Sequence, residues 1–217
     1  LAASNNKIIE RKMRKVLKER KERWKSLMKQ SLHQAAVKVL ARDGLEGLTM
    51  DRVAGEAEIA KGTLYNYFKN KEDFLVYMER ASFEPLDQEV DQILDSHQPP
   101  ERKLEKFILT SLNYFDSNRE FFRVFLDPEL TGRRSNPEAK NRHLQLVEKI
   151  GLVFEEGIRA GSFRPMNPVK LGAMFVMACG AMLIRRLRTE GRDPVEEDAR
   201  LIVEVFFEGI RAEGEQR

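Results

Sequence analysis

The chain has 217 residues and a mass of 25.2 kDa, enough for one large domain or two small ones. Hydrophobic residues make up 41% and charged residues 34%, which excludes a disulfide-stapled mini-protein, a collagen-like repeat and a wholly disordered chain. The net charge of +3 hides an uneven distribution: residues 1–78 hold 17 Lys+Arg against 10 Asp+Glu, and the remainder is mildly acidic. The one cysteine, Cys179, leaves no partner for an internal disulfide and no Cys cluster for a metal. The longest apolar run, Ala173 to Ile184, is 12 residues, short of the ~20 that span a bilayer. The opening residues are polar and then basic, unlike a secretory leader, so a soluble, cytoplasmic protein is expected.

The pattern is helical throughout, with no sustained alternation of apolar and polar residues. Residues 7–25 carry ten Lys/Arg against three Glu and read as a basic extension, either helical or a flexible arm. Leu32, Ala35, Ala36, Val39 and Leu40 then recur at helical spacing, predicting a helix over about Gln30 to Arg42 with Gly44 as its stop. Thr49 is an N-cap for a short helix beginning Met50-Asp51-Arg52-Val53-Ala54. A second short helix fits Lys61 to Phe68, and a longer one starts at Lys71, with Pro85 expected to bend or break it. Further helices are expected at about 100–116, 118–131, 137–160, 168–190 and 194–213, several opened by proline. The fold class is all-α. The domains are expected to be a basic extension (1–25), a helix-turn-helix head (26–78) and a larger helical body (79–217).

Two short helices joined by a tight turn outline a helix-turn-helix. Its second helix must present side chains to a major groove ~12 Å wide while the first braces it. Leu64 and Phe68, four apart, should face inward. Lys61, Thr63, Tyr65, Asn66 and Lys69 are then left mainly outward. Gly62 allows close backbone approach. Thr63 and Asn66 suit base edges, and Tyr65, Tyr67 and Lys71 suit phosphates. The candidate DNA-binding residues are Thr49, Lys61, Gly62, Thr63, Tyr65, Asn66, Tyr67 and Lys71.

Residues 49–75, running from Thr49-Met50-Asp51-Arg52-Val53-Ala54 through Lys61-Gly62-Thr63-Leu64-Tyr65-Asn66-Tyr67-Phe68 to Asn70-Lys71-Glu72-Asp73-Phe74-Leu75, closely resemble the DNA-binding head of TetR-family transcriptional regulators. The resemblance implies an all-α homodimer on a palindromic double-stranded DNA operator, usually a repressor released by a small molecule held in the body. Two positions depart from the family pattern. The turn often has Gly and the next helix a Ser or Thr N-cap, where this chain has Glu58 and Ala60.

In the body, Phe107, Tyr114, Phe115, Phe121, Phe122 and Phe125 crowd into 19 residues. With Phe154, Met174 and Met177 they suit an apolar ligand cavity. The same composition serves a helical core, and spacing does not separate the two. The ligand-site candidates are Phe107, Asn113, Tyr114, Phe122, Arg123, Phe125, Phe154, Met174 and Met177. Gly172, Val176, Gly180 and Ile184 at spacing four, with Leu201, Ile202, Val205 and Phe206 on the last helix, are the candidates for a four-helix dimer interface. Cys179 reads as a small core hydrophobe.

The leading function is therefore a ligand-responsive dimeric repressor, its effector small and apolar. The alternative is a ligand-blind DNA-binding regulator whose body binds a protein. An enzyme is not expected: there is no phosphate-binding Gly loop, no nucleophile elbow and no metal-spaced ligand set, and His33, His97 and His143 are scattered. Neither a cofactor nor a metal site is called for, and no membrane partner.

Overall fold

A computed structural model describes the backbone over residues 2–125, 137–189 and 193–210, and the side chains of the same residues except 2–17, Lys21, Val124, Phe125 and Ile210. These residues form helices and no strand: α1 (Ala2–Gly47), α2 (Met50–Glu56), α3 (Lys61–Tyr65), α4 (Lys71–Leu94), α5 (Pro100–Ser117), α6 (Arg119–Phe125), α7 (Pro137–Arg159), α8 (Pro168–Arg188) and α9 (Val195–Ile210). The chain divides into two compact units, Leu1–Met78 and Glu79–Arg217.

In the first unit, α1 starts far upstream of the expected Gln30, so the basic segment is helical. The helix is interrupted at Gly44, whose φ of 67° lies in the left-handed region that glycine enters without a Cβ penalty. Leu32, Ala35, Ala36, Val39 and Leu40 are all buried, together with Val53, Ala54, Leu64, Phe74 and Met78. Thr49 Oγ1 accepts from the Arg52 amide at 3.2 Å and caps α2, with Asp51 in the first turn.

The turn after α2 closes in a Schellman arrangement. The Ile59 amide donates to the Ala54 carbonyl at 3.0 Å and the Glu58 amide to Gly55 at 3.1 Å. Glu58 occupies the left-handed position, φ 56°, the one non-glycine residue with positive φ among those described. The α-helix that follows is shorter than expected, ending at Tyr65 rather than Phe68. Ala60 offers it no side-chain cap, and five residues are too few for helical propensity to sustain it. It is held instead by Leu64 and Phe68, which are buried beneath it. Asn70 Oδ1 then accepts from the Asp73 amide at 2.8 Å, and Asp73 Oδ2 from the Lys69 amide at 3.0 Å, opening α4. Pro85 does not end α4, which continues to Leu94. The proline is exposed, and Ser82, Leu86, Val90 and Leu94 anchor the helix on either side of it.

In the second unit α7 and α8 share the most extensive contact. They cross at Gly151 and Gly172: a Cβ on Gly172 would stand 2.7 Å from the Val147 carbonyl oxygen and 2.8 Å from the Gly151 nitrogen. Asn167 caps α8 through the Lys170 amide, with Pro168 in its first turn. Among the described residues, α8 is the helix long and apolar enough to cross a membrane, which the strict 12-residue apolar count does not register. In the body it buries Leu171, Phe175, Val176, Cys179, Leu183 and Leu187 along one face.

The C-terminal end of α8 is fixed by a buried cation. Arg186 is 3% exposed. Its guanidinium donates to Asp116 of α5 at 2.5 Å, to Asp198 of α9 and to the Asp193 carbonyl at 3.0 Å. These bonds raise the Arg186 pKa, and one charged side chain thereby ties three helices. Lys103 of α5, also buried, pairs with Glu156 of α7 at 2.8 Å. The expected helix over 118–131 is described as α6 to Phe125, and residues 126–131 lie outside the described residues. Gly161, at φ 81°, terminates α7.

Candidate nucleic-acid interface and helical body

The segment from Lys61 to Phe68 has two clearly different sides. Leu64 is fully buried, and Phe68 stacks edge-on to Phe74 at 5.0 Å and lies 5.1 Å from Tyr77. Lys61, Gly62, Tyr65 and Asn66 are exposed, and Thr63 and Tyr67 are half-buried. Gly62 has nothing within 4 Å of where a Cβ would stand, and its φ lies outside the left-handed region. No packing or backbone need among the described residues calls for glycine there.

Lys61 forms an ion pair with Asp51 at 2.6 Å, joining the start of α3 to α2. That hydrogen bond holds the Lys61 pKa above its ordinary value, so the ammonium stays charged. Lys71 is half-buried and donates to the Leu45 carbonyl at 3.4 Å, bracing the end of α1 against α4. Thr49 is exposed but spends its hydroxyl on the α2 cap. Sequence reasoning missed Lys29, whose ammonium sits 5.1 Å over the Tyr77 ring and 5.7 Å over Phe68. A lysine one turn before the buried stripe of α1 carries no signal in the sequence that would single it out.

In the body the aromatic candidates sort into two groups. Phe122 is fully buried and meets Phe115 at 4.2 Å, Phe83 at 5.1 Å and Tyr114 at 5.9 Å. Phe107 and Phe154 both meet Phe175, at 6.1 and 5.6 Å. Tyr114 donates to the Ser82 carbonyl at 2.7 Å, and burial raises its pKa. Arg142 stands 4.1 Å over Phe83 and pairs with Glu79 at 3.1 Å.

Other ligand candidates are not brought together with these. Asn113 and Arg123 are exposed. Met174 and Met177 are 62% and 61% exposed, because Phe175 and Val176 take the inward arc of α8 and, at ~100° per residue, the positions just before and just after them turn outward. The side chain of Phe125 lies outside the described residues. One polar group was missed. Ser111, 6% exposed on the inward face of α5, has a hydroxyl with no hydrogen-bond partner among the described residues. A lone serine in an apolar helix stripe is the trace it leaves in sequence.

The expected dimer stripe divides. Gly172 and Val176 are buried, Gly172 in the α7–α8 crossing, whereas Gly180 faces open space and Ile184 is exposed. Steps of four residues advance ~40° around a helix of 3.6 residues per turn, so the row begins inside the chain and ends outside it. The exposed apolar face is instead Met174, Met177 and Ile184 with Leu201 and Val205 of α9. Between the two helices lies a groove of about 370 Å³, lined by residues including Ala181, Met182, Leu201 and Phe206. Ile202 is buried within the chain and Phe206 is half-buried, 5.1 Å from Phe175.

Residues 32–78 match the model of bacterial regulatory proteins of the tetR family, and residues 97–210 match the tetracyclin repressor-like C-terminal domain. The chain is 24% identical over 188 residues to the HTH-type transcriptional repressor KstR2 of Rhodococcus jostii, covering 86% of this chain and 92% of that one. A putative fatty acid metabolism regulator of Clostridium perfringens has a similar solved structure, with a TM-score of 0.68, 25% identity, and coverage of 83% of this chain and 98% of that one. The structure of the transcriptional regulator FadR of Bacillus subtilis in complex with stearoyl-CoA shares the fold, with a TM-score of 0.68, 22% identity, and coverage of 84% and 99%. With both halves matched to the same family, the chain belongs to the TetR family of DNA-binding transcriptional regulators.

Proposed function

We propose that this protein is a homodimeric repressor that reads a palindromic operator with residues 61–66 and releases it when an apolar ligand enters the body. DNA binding is assigned to residues 26–78, and ligand binding and dimerisation to 79–217. The carrying observation is the exposed side of α3: Gly62 with open space above it, flanked by Lys61, Thr63, Tyr65 and Asn66. Thr63 and Asn66 supply hydrogen bonds for base edges, and Tyr65, Tyr67 and Lys61 bind phosphates.

The apolar face of α8 and α9 supports the dimer, which would cover Met174, Met177, Ile184, Leu201 and Val205. Sedimentation equilibrium at micromolar concentration checks this, and a monomer there contradicts it. For the ligand, Phe107, Phe122 and Phe154 supply apolar surface, and the unpartnered Ser111 hydroxyl supplies a polar contact for a carbonyl or carboxylate. The bound stearoyl-CoA in a protein of the same fold makes a long-chain acyl-CoA the first compound to test. An operator selected from random duplexes should be bound without stearoyl-CoA and released by it. Operator binding untouched by acyl-CoAs and by free fatty acids would favour the ligand-blind alternative, with a protein partner on the body.

A further inference from the structure

We propose that residues 7–25 of α1 form a second DNA-binding element, which lies along the phosphate backbone and reads no sequence; this rests on the assignment of the head as a DNA-binding unit. Three observations carry it. First, the segment is helical and strongly basic, with ten Lys/Arg against three Glu. Lys7, Arg11, Arg14, Lys18, Lys21 and Lys25 follow at alternating intervals of four and three residues, the spacing of a single helical face.

Second, the segment's own glutamates are too few to offset that charge. Lys25 pairs with Glu22 at 3.4 Å, but ten cations face three anions. Lys18, Glu19, Arg20, Glu22, Arg23, Trp24 and Lys25 are all exposed, and like charges at such spacing destabilise an isolated helix. A helix this polar gains stability from a partner of opposite charge. Third, the segment is continuous with the head. The same helix runs on to Leu32, where the buried core begins. Lys29, between them, sits over the inward-facing Phe68, at the C-terminal end of the reading segment, and over Tyr77. The basic stretch therefore joins the head on the helix that packs beneath the reading segment.

At 1.5 Å per residue the row from Lys7 to Lys25 is about 27 Å long, and duplex DNA presents a phosphate charge every ~1.7 Å of axis. An anionic membrane surface fits less well. The opposite row of positions, Ile9, Met13, Val16, Trp24 and Leu27, is interrupted by Arg20 and Arg23, whereas an interfacial helix needs an unbroken apolar face.

The test uses the full chain and a 40-base-pair duplex of mixed sequence that contains no operator, with binding followed by fluorescence anisotropy across a salt series. One variant replaces Lys7, Arg11, Arg14, Lys18, Lys21 and Lys25 with Gln. A second replaces Glu10, Glu19 and Glu22 with Gln, raising the positive charge of the same segment. Circular dichroism and thermal unfolding establish that both fold. The slope of log K against log[salt] should become shallower in the first by about 0.9 for each phosphate that is no longer neutralised, a total of about 2 or more. Affinity should fall at least tenfold in the first and rise in the second. Equal slopes for all three proteins overturn the proposal while leaving the head's assignment intact. Phosphatidylglycerol vesicles that capture the unaltered chain but not the six-fold variant, with equal DNA slopes, assign the segment to membranes instead. Absence of binding to this duplex by every protein also overturns the proposal, while absence of binding to a selected operator as well overturns the head's assignment with it.

Discussion

Glu58 offers a sharp test of the turn that sets α3 against α2. Its φ of 56° places a side chain with a Cβ in the left-handed region at the position after the α2 cap, at a cost of about 1–2 kcal/mol. Glycine removes that cost but widens the freedom of the unfolded chain, which takes back about 0.5–1 kcal/mol. Glu58→Gly should therefore stabilise the transition that carries the head by about 0.5–1 kcal/mol, and raise Tm at about 2–4 °C per kcal/mol for a chain of this size. Glu58→Ala is the control, since it removes the same carboxylate and keeps the Cβ. Urea unfolding and scanning calorimetry of both variants give the answer. A gain for Gly and none for Ala supports strain at this residue. Equal gains would show that the charge, and not the backbone, is what the turn resists, and would refute the reasoning.

Gly172→Val should destabilise the body by several kcal/mol, because a Cβ there meets the Val147 carbonyl and the Gly151 backbone, whereas Gly180→Ala enters open space within α8 and should raise the unfolding midpoint modestly, stabilising the body by about 0.5–1 kcal/mol. Arg186→Ala should cost about 3–5 kcal/mol by leaving Asp116 and the buried Asp198 without their shared cation, measured by urea unfolding. Burial pushes the Cys179 thiol up to about 12, so it stays protonated at pH 8. A thiol reagent should then label it only at the rate of unfolding. Burial also lowers the His33 pKa below 6.5. The unfolded chain then takes up the proton first, so the stability from neutral His33 is present above pH 6.5 and falls as the pH drops from there. His33→Gln should flatten that dependence in unfolding curves between pH 7 and 5.

The head was legible because its signals are local. Thr49 before Met50, the paired Leu64 and Phe68, and Asn70 before the Lys71 helix all act through neighbours a few residues away. Glu58 and Ala60 stood out only against the family pattern, and the structure gives them a positive φ and no side-chain cap. The limits of α3 and the passage of α4 through Pro85 were not, since both depend on packing that overrides local preference. The body shows the same division. Helix positions follow from proline and periodicity, but the direction each side chain faces follows from the crossing of α7 and α8. Met174 and Met177 look like pocket lining in sequence, and Gly172 looks like an interhelix contact between subunits. Fixing Phe175 inward turns the methionines out, and closing Gly172 on Gly151 keeps the glycine within the chain. The basic row in residues 7–25 was visible as charge, but its continuity with the head required the helix itself.

The exposed side of α3 is proposed to read bases. The direct measurement is titration of the unaltered chain and Thr63→Ala against a selected operator and its scrambled counterpart at one salt concentration. Thr63→Ala should lose about 1–3 kcal/mol on the operator, roughly 5- to 150-fold in affinity, with binding to the scrambled duplex unchanged. An equal loss on both duplexes would contradict it, because Thr63 would then contribute affinity without sequence.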